Sequence, residues 1–163
     1  MGAQAPAPQL DSMAAGLRML YSQVRGNLLQ SAQLMPEANY AFKPTPDVRT
    51  FAELIGHVVN AQYNFCAPVV GGKPPAVKNY ELVTTKDDLV DALKDAFTYC
   101  DAAYDAATET TLSDPATFSG TPVTKLYLLT YNIAHDNEHY GNVVTYLRLK
   151  GLVPPSTARS KVQ

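Results

Sequence analysis

Apolar residues recur at three- and four-residue steps in four stretches of the chain, and segments containing proline and glycine mark the joins between them. In the first, Leu10, Met13, Leu17, Leu20, Val24, Leu28 and Met35 share one face of a helix predicted from about Leu10 to Met35, with Pro36 at its end. A proline-bearing connector covers 36–50. Thr50 with Glu53 three residues later reads as a capping box, which predicts a second helix from Phe51 to about Ala67. Its buried stripe is Phe51, Leu54, Ile55, Val58 and Phe65. Residues 68–85, with Gly71, Gly72, Pro74 and Pro75, read as loop. A third helix is predicted from near Thr85 to about Ala107 on Leu89, Leu93, Phe97, Cys100 and Tyr104. Asp87 and Asp88 stand in its first turn, where the helix dipole favours negative charge. Residues 108–121 read as a second loop. A fourth helix is predicted from near Pro122, a favoured first-turn residue, to Lys150, before Gly151 and the Pro154-Pro155 stop.

No stretch alternates with the period of a strand over a useful length, so the expected class is all-α, a four-helix bundle. The connection between the second and third helices is longer than a tight antiparallel turn needs. A crossover there lets those two helices run parallel, giving up-down-down-up topology. Residues 1–9 are expected to be a disordered N-terminal segment, 10–155 the bundle, and 156–163 a C-terminal tail.

The length, 163 residues, suits one domain with a real core. A formal net charge of −2 argues against binding nucleic acid by phosphate neutralisation. There is no basic patch for an anionic membrane, and no run approaches the roughly 20 apolar residues that cross a bilayer. Neither nucleic acid nor membrane is therefore an expected partner. Residues 1–9 have no charged n-region or apolar h-region and hold no signal peptide. Ala3-Gln4-Ala5 before Pro6-Ala7-Pro8 nevertheless resembles the surroundings of a small-residue cleavage site. A cytoplasmic start and a trimmed export precursor both stand. Cys66 and Cys100 lie far apart and in no CxxC arrangement; they read as two small apolar residues on helices, and the sequence leaves open whether they pair.

The chain has three histidines. His135 and His139 are spaced i,i+4 and project from one face of the fourth helix, shared by Leu128, Tyr131, Asn142 and Tyr146. The main apolar stripe of that helix, Leu126, Leu129, Ile133, Val144 and Leu147, lies to one side. His57 sits inside the second helix on a stripe with Glu53, Asn60, Ala61 and Asn64. Three neutral imidazoles from two helices can hold a divalent metal and leave one position open, as catalytic sites do and four-ligand structural zinc sites do not. Imidazole suits zinc, nickel, copper and iron alike. An HxxxH pair by itself is also what two solvated histidines give. Glu53, Asn60, Asn64, Tyr131, Asn142 and Tyr146 are candidates to orient the imidazoles or wall a pocket. Glu53 and Glu138 lie within a turn of the histidines, and Asp136 projects about 100° from His135. Asp136 reads as a group behind the ligands or on the surface, and no residue stands out as a general base.

Two segments together resemble the DinB/YfiT-like family. One is Leu34-Met35-Pro36-Glu37-Ala38-Asn39-Tyr40 through Lys43-Pro44-Thr45-Pro46 to Phe51-Ala52-Glu53-Leu54-Ile55-Gly56-His57. The other starts at His135-Asp136-Asn137-Glu138-His139 and continues through Tyr146-Leu147-Arg148 and Gly151 to Pro154-Pro155. The resemblance implies an up-down-down-up four-helix bundle, a divalent metal held by His57, His135 and His139, and a homodimer. It implies zinc or nickel first, with iron or manganese as further fits. It also implies a metal-dependent enzyme, most concretely a thiol S-transferase using a low-molecular-weight thiol and a small-molecule substrate. A metal-dependent hydrolase and a metal-binding protein without turnover are the alternatives. Asn142 stands where the family commonly has Gln. Ten tyrosines and no tryptophan leave surface on which two bundles could pair.

Overall fold

The computed structural model of the chain describes residues 12–75 and 77–160. The N-terminal segment 1–9 and the predicted helix start at Leu10 lie outside the described residues. Four long helices carry the fold: α1 (Met13–Leu34), α2 (Phe51–Cys66), α3 (Lys86–Asp105) and α4 (Lys125–Leu149). Short polar side chains set three of the starts by accepting otherwise unpaired first-turn N–H groups. Ser12 accepts from the Ala15 amide, Thr124 from the Tyr127 amide, and Thr50 with Glu53 closes the predicted capping box.

Named contacts give the topology. Lys86, at the start of α3, donates to the carbonyls of Gln33 and Met35 at the end of α1. Tyr21, near the start of α1, donates to the Phe97 carbonyl late in α3, so these helices are antiparallel. Helices α2 and α4 are antiparallel too, with Phe51 packed on Tyr146 at one end and Phe65 on Tyr131 at the other. Helices α2 and α3 run side by side in the same direction and meet at Tyr63–Tyr99 and Cys66–Cys100. The bundle is up-down-down-up, as the long connection predicts. Its core includes Val24, Leu28, Ile55, Leu93, Phe97 and Leu129, each 1% exposed or less. Burial of each such side chain contributes about 1.5–3 kcal/mol.

One polar seam crosses this apolar interior. Asp136, Gln62 and Asn132 are fully buried and bond in a row. Gln62 donates to Asp136 at 2.6 Å, Asn132 donates to Gln62 at 3.0 Å, and the Tyr104 hydroxyl donates to Asn132 at 2.8 Å. The expected apolar stripe of α4 is thus only part of its buried face. Leu126 and Val144 are half-buried, while Asn132 and Asp136 are inside.

Three local expectations are corrected. The predicted loop 108–121 contains a one-turn 3₁₀ helix (Thr111–Ser113) and the first strand of a β-hairpin, β1 (Pro115–Phe118) with β2 (Thr121–Thr124). Ser119 and Gly120 both have positive φ, the backbone that a two-residue hairpin turn demands. Pro122 therefore lies in β2 opposite Thr117, and α4 begins three residues later at Lys125. A two-stranded ribbon is all edge, where a missing N–H is tolerated. The double proline ends no order: Pro155 opens a short helix, α5 (Pro155–Ser160), over the expected tail. Its Arg159 donates to Asn27 of α1. Finally, Cys66 and Cys100 are not two separate apolar residues. They form a disulfide between α2 and α3, with Cα atoms 5.3 Å apart.

Candidate metal centre

The three histidines converge where α2 and α4 cross. His57 comes from the first half of α2, and His135 and His139 stand one turn apart on α4. His135 Nε2 lies 3.2 Å from His57 Nε2 and 3.0 Å from His139 Nε2. Nitrogens placed tetrahedrally about one ion at 2.0–2.1 Å would stand about 3.3 Å apart, close to these two separations, and the ligand atoms of all three rings lie within 4.8 Å of one another. Among the described residues no fourth His, Cys, Asp or Glu joins the group.

The proton inventory favours a cation at this point. Glu81 Oε1 is 2.8 Å from His57 Nδ1, so the ring donates there and turns its Nε2 lone pair to the cluster. His139 is 7% exposed, and its pKa is lowered from 6.5 to about 4. Burial is the main cause, followed by repulsion from His135, His57 and Arg49. It is neutral at pH 7, the form that ligates a metal. The Nδ1 atoms of His135 and His139 are buried with no partner among the described residues. One shared proton could serve one of the Nε2 contacts, whereas a cation could draw on one nitrogen of each ring at once.

Glu81 is the residue that sequence reasoning missed. It lies in a one-turn 3₁₀ helix (Tyr80–Leu82) at the end of the long crossover. Its second oxygen accepts from Arg49 Nε at 3.2 Å. Burial works to raise its pKa, but the bonds from His57 and Arg49 outweigh that and hold the carboxyl below its ordinary range. Gly56, next to His57, lets this turn approach, since a Cβ there would collide with the Tyr80 carbonyl.

The six candidate residues around the histidines divide. Asn60 accepts from the Tyr80 amide at 3.1 Å and donates to Asn79 at 2.8 Å, which ties the Glu81 turn to α2. The Tyr146 hydroxyl donates to the Arg49 carbonyl and fixes the connector that carries Glu81's second partner. Both therefore act through Glu81 rather than on an imidazole. Glu53 is spent on the Thr50 cap, whose hydrogen bonds lower its pKa. Asn64 and Tyr131 line a cleft of about 650 Å³ that reaches His57 and His135. Asn142 lines another, of about 720 Å³, that reaches His139 from the connector side. Glu81 borders both. Asp136, read as a group behind the ligands or on the surface, is fully buried. Its Oδ1 lies 4.0 Å from His135 Nδ1, beyond hydrogen-bond reach.

The comparisons agree with this architecture. The family model of the DinB superfamily matches residues 20–143, a span that includes all three histidines. The chain belongs to the DinB superfamily. No curated protein matches it. Among solved structures, a DinB-like protein from Bacillus cereus superposes with a TM-score of 0.74 at 19% identity, covering 86% of this chain and 94% of that one. YfiT from Bacillus subtilis, described as a probable metal-dependent hydrolase with an unusual four-helix bundle topology, gives 0.67 at 12% identity, covering 93% and 96%. A mycothiol-dependent maleylpyruvate isomerase gives 0.64 at 16% identity, covering 82% of this chain and 61% of that one. At these identities the likeness is one of fold, and this DinB-superfamily chain shares its bundle with proteins of different stated chemistry.

Proposed function

We propose that this protein is a divalent-metal enzyme in which the Nε2 atoms of His57, His135 and His139 hold one transition-metal ion. The reading rests on the convergence of three imidazole nitrogens with no fourth His, Cys, Asp or Glu beside them among the described residues. A bound ion with an open position supplies a nucleophile at neutral pH, by making a water or a thiol more acidic, and polarises a carbonyl. The protein's own contribution is preparation. Glu81 fixes the His57 tautomer, burial keeps His139 neutral, and the two clefts bring a small molecule to the nitrogens from either side. The all-imidazole set does not itself choose among transition metals; zinc or nickel is the first choice that the family resemblance implies, with iron or manganese after them.

Two nucleophiles compete, water for a hydrolase and a low-molecular-weight thiol for an S-transferase. The Cys66–Cys100 disulfide favours water, because such bonds persist in oxidising compartments, where reduced small thiols are scarce. The YfiT description supports the same side, and the mycothiol-dependent isomerase supports the thiol reading. The test is metal analysis of the purified protein, followed by a screen of the loaded form against simple esters and against thiol–electrophile pairs. Ester turnover that disappears in His139→Ala is the expected result. Conjugation that requires added thiol would select S-transfer. Stoichiometric metal with turnover of neither class would leave a metal-binding protein and defeat the enzyme reading.

A further inference from the structure

The cleft on the His57–His135 side has a direction. His57, Asn60, Ala61, Asn64 and Phe65 form one stripe along α2, with Tyr131 and His135 facing them from α4. From His57 to Asn64 that trough runs about 10 Å, at 1.5 Å per residue. The histidines stand at one end; Phe65 lies edge-on to His135 at 5.3 Å, and beyond it Phe118 of the hairpin stacks on Phe65 at 5.1 Å with Tyr131 set edge-on to both of those rings. These rings are not simply packing filler. Phe118 is only half-buried and Tyr131 is 41% exposed, so both keep ring surface open at the cleft. Pro74, Pro75 and Val77 of the crossover add apolar surface to the lining.

The geometry points to a substrate with a terminal aryl group: the ring seats against Phe65, Phe118 and Tyr131, and a short linker brings its carbonyl to the histidine end. This rests on the metal reading for the carbonyl end only, because the aromatic end is built entirely from side chains. Aromatic faces select planar rings through offset and edge-on contacts that an alkyl chain of equal size does not make. The two-residue turn at Ser119–Gly120 gives the hairpin a defined shape and so places Phe118 at the far end of the trough.

Phenylalkyl hydroxamates with zero to five methylenes test the proposal. They would be titrated by NMR into metal-free and zinc-loaded protein, with acetohydroxamate as the ringless control. Expected are ring-current shifts at Phe118 and Tyr131 in both forms and, with zinc, an affinity maximum at two to four methylenes. Phe118→Ala should weaken the best phenyl ligand about tenfold and leave acetohydroxamate unchanged. Phe118→Leu, which keeps the hairpin packed, should weaken it by a smaller factor. Absence of shifts at those two rings, or zinc-form affinity independent of linker length, overturns the proposal. Ring contact retained while zinc adds nothing would sink the metal reading and leave the aryl site standing.

Discussion

Asp136→Asn measures the cost of the charge buried behind the histidines. The carboxylate has no exposed surface; one oxygen accepts from Gln62, and the other has no partner among the described residues. Burial, outweighing the opposing pull of His135 and Gln62, raises its pKa from 3.8 to about 6. The folded state then holds the proton more tightly than the unfolded chain. The group's stabilisation is complete below pH 4 and is lost as pH rises through 6. A shift of about two units is worth about 3 kcal/mol, most of which is traversed between pH 4 and pH 7.5. Asparagine is neutral throughout and brings its own fixed cost, an amide NH₂ facing the unpartnered side, about 1–3 kcal/mol. That cost does not vary with pH, so the informative quantity is a difference of differences. Relative to the parent, the variant should gain roughly 2–3 kcal/mol on going from pH 4 to pH 7.5. Denaturant unfolding of both proteins with chelator present and the disulfide intact gives the four free energies. A relative stability flat to within about 0.5 kcal/mol would show that Asp136 titrates as an ordinary carboxyl and refute the reasoning. A carboxylate this close to His135 also favours a dication at the cluster, so the same variant should bind zinc more weakly.

Glu81→Gln should weaken metal binding about 10–100-fold in a chelator competition while unfolding changes little, because Glu81 is partly exposed and holds an imidazole rather than the core. His139→Ala should abolish tight metal binding yet leave the helical circular dichroism almost intact. In the parent, metal should add only a linkage term of roughly 3–4 kcal/mol at a few hundred to a thousand times Kd. Unfolding on metal removal at neutral pH would make the site structural. Reducing the disulfide, whose cysteines lie 34 residues apart, should cost about 4 kcal/mol on the loop-entropy estimate, read as a lower denaturant midpoint in reductant. A symmetric dimer is expected from the family, and sedimentation showing only monomer at micromolar concentration would count against it.

What the chain disclosed beforehand was what local periodicity encodes. The four helices came from three- and four-residue apolar steps, and the histidine set from an i,i+4 pair plus one histidine on a stripe of its own. The helical ends were legible where a cap carried them, as at Thr50–Glu53, and misplaced where a different element intervened, as at Pro122. A four-residue strand is too short to show alternation, although Ser119-Gly120 is a turn signal that could have been taken as one. Asp136 stood undecided between a place behind the histidines and one on the surface, because its environment is made by Gln62 and Asn132, which lie on two different helices and bond only after those helices pack. Glu81 was invisible for the same reason, with one added step. It sits 24 residues from His57 in a crossover that has no periodicity of its own. Its position depends on a glycine without a side chain at 56, an amide at 60, and an arginine at 49 whose backbone Tyr146 holds. Each of these reads as an ordinary residue in isolation. The three histidines belong to helix faces and could be singled out by spacing, while their reading as a ligand set came with the family resemblance. The groups that would tune a metal there belong to the packing of three separate segments, and only coordinates bring them together.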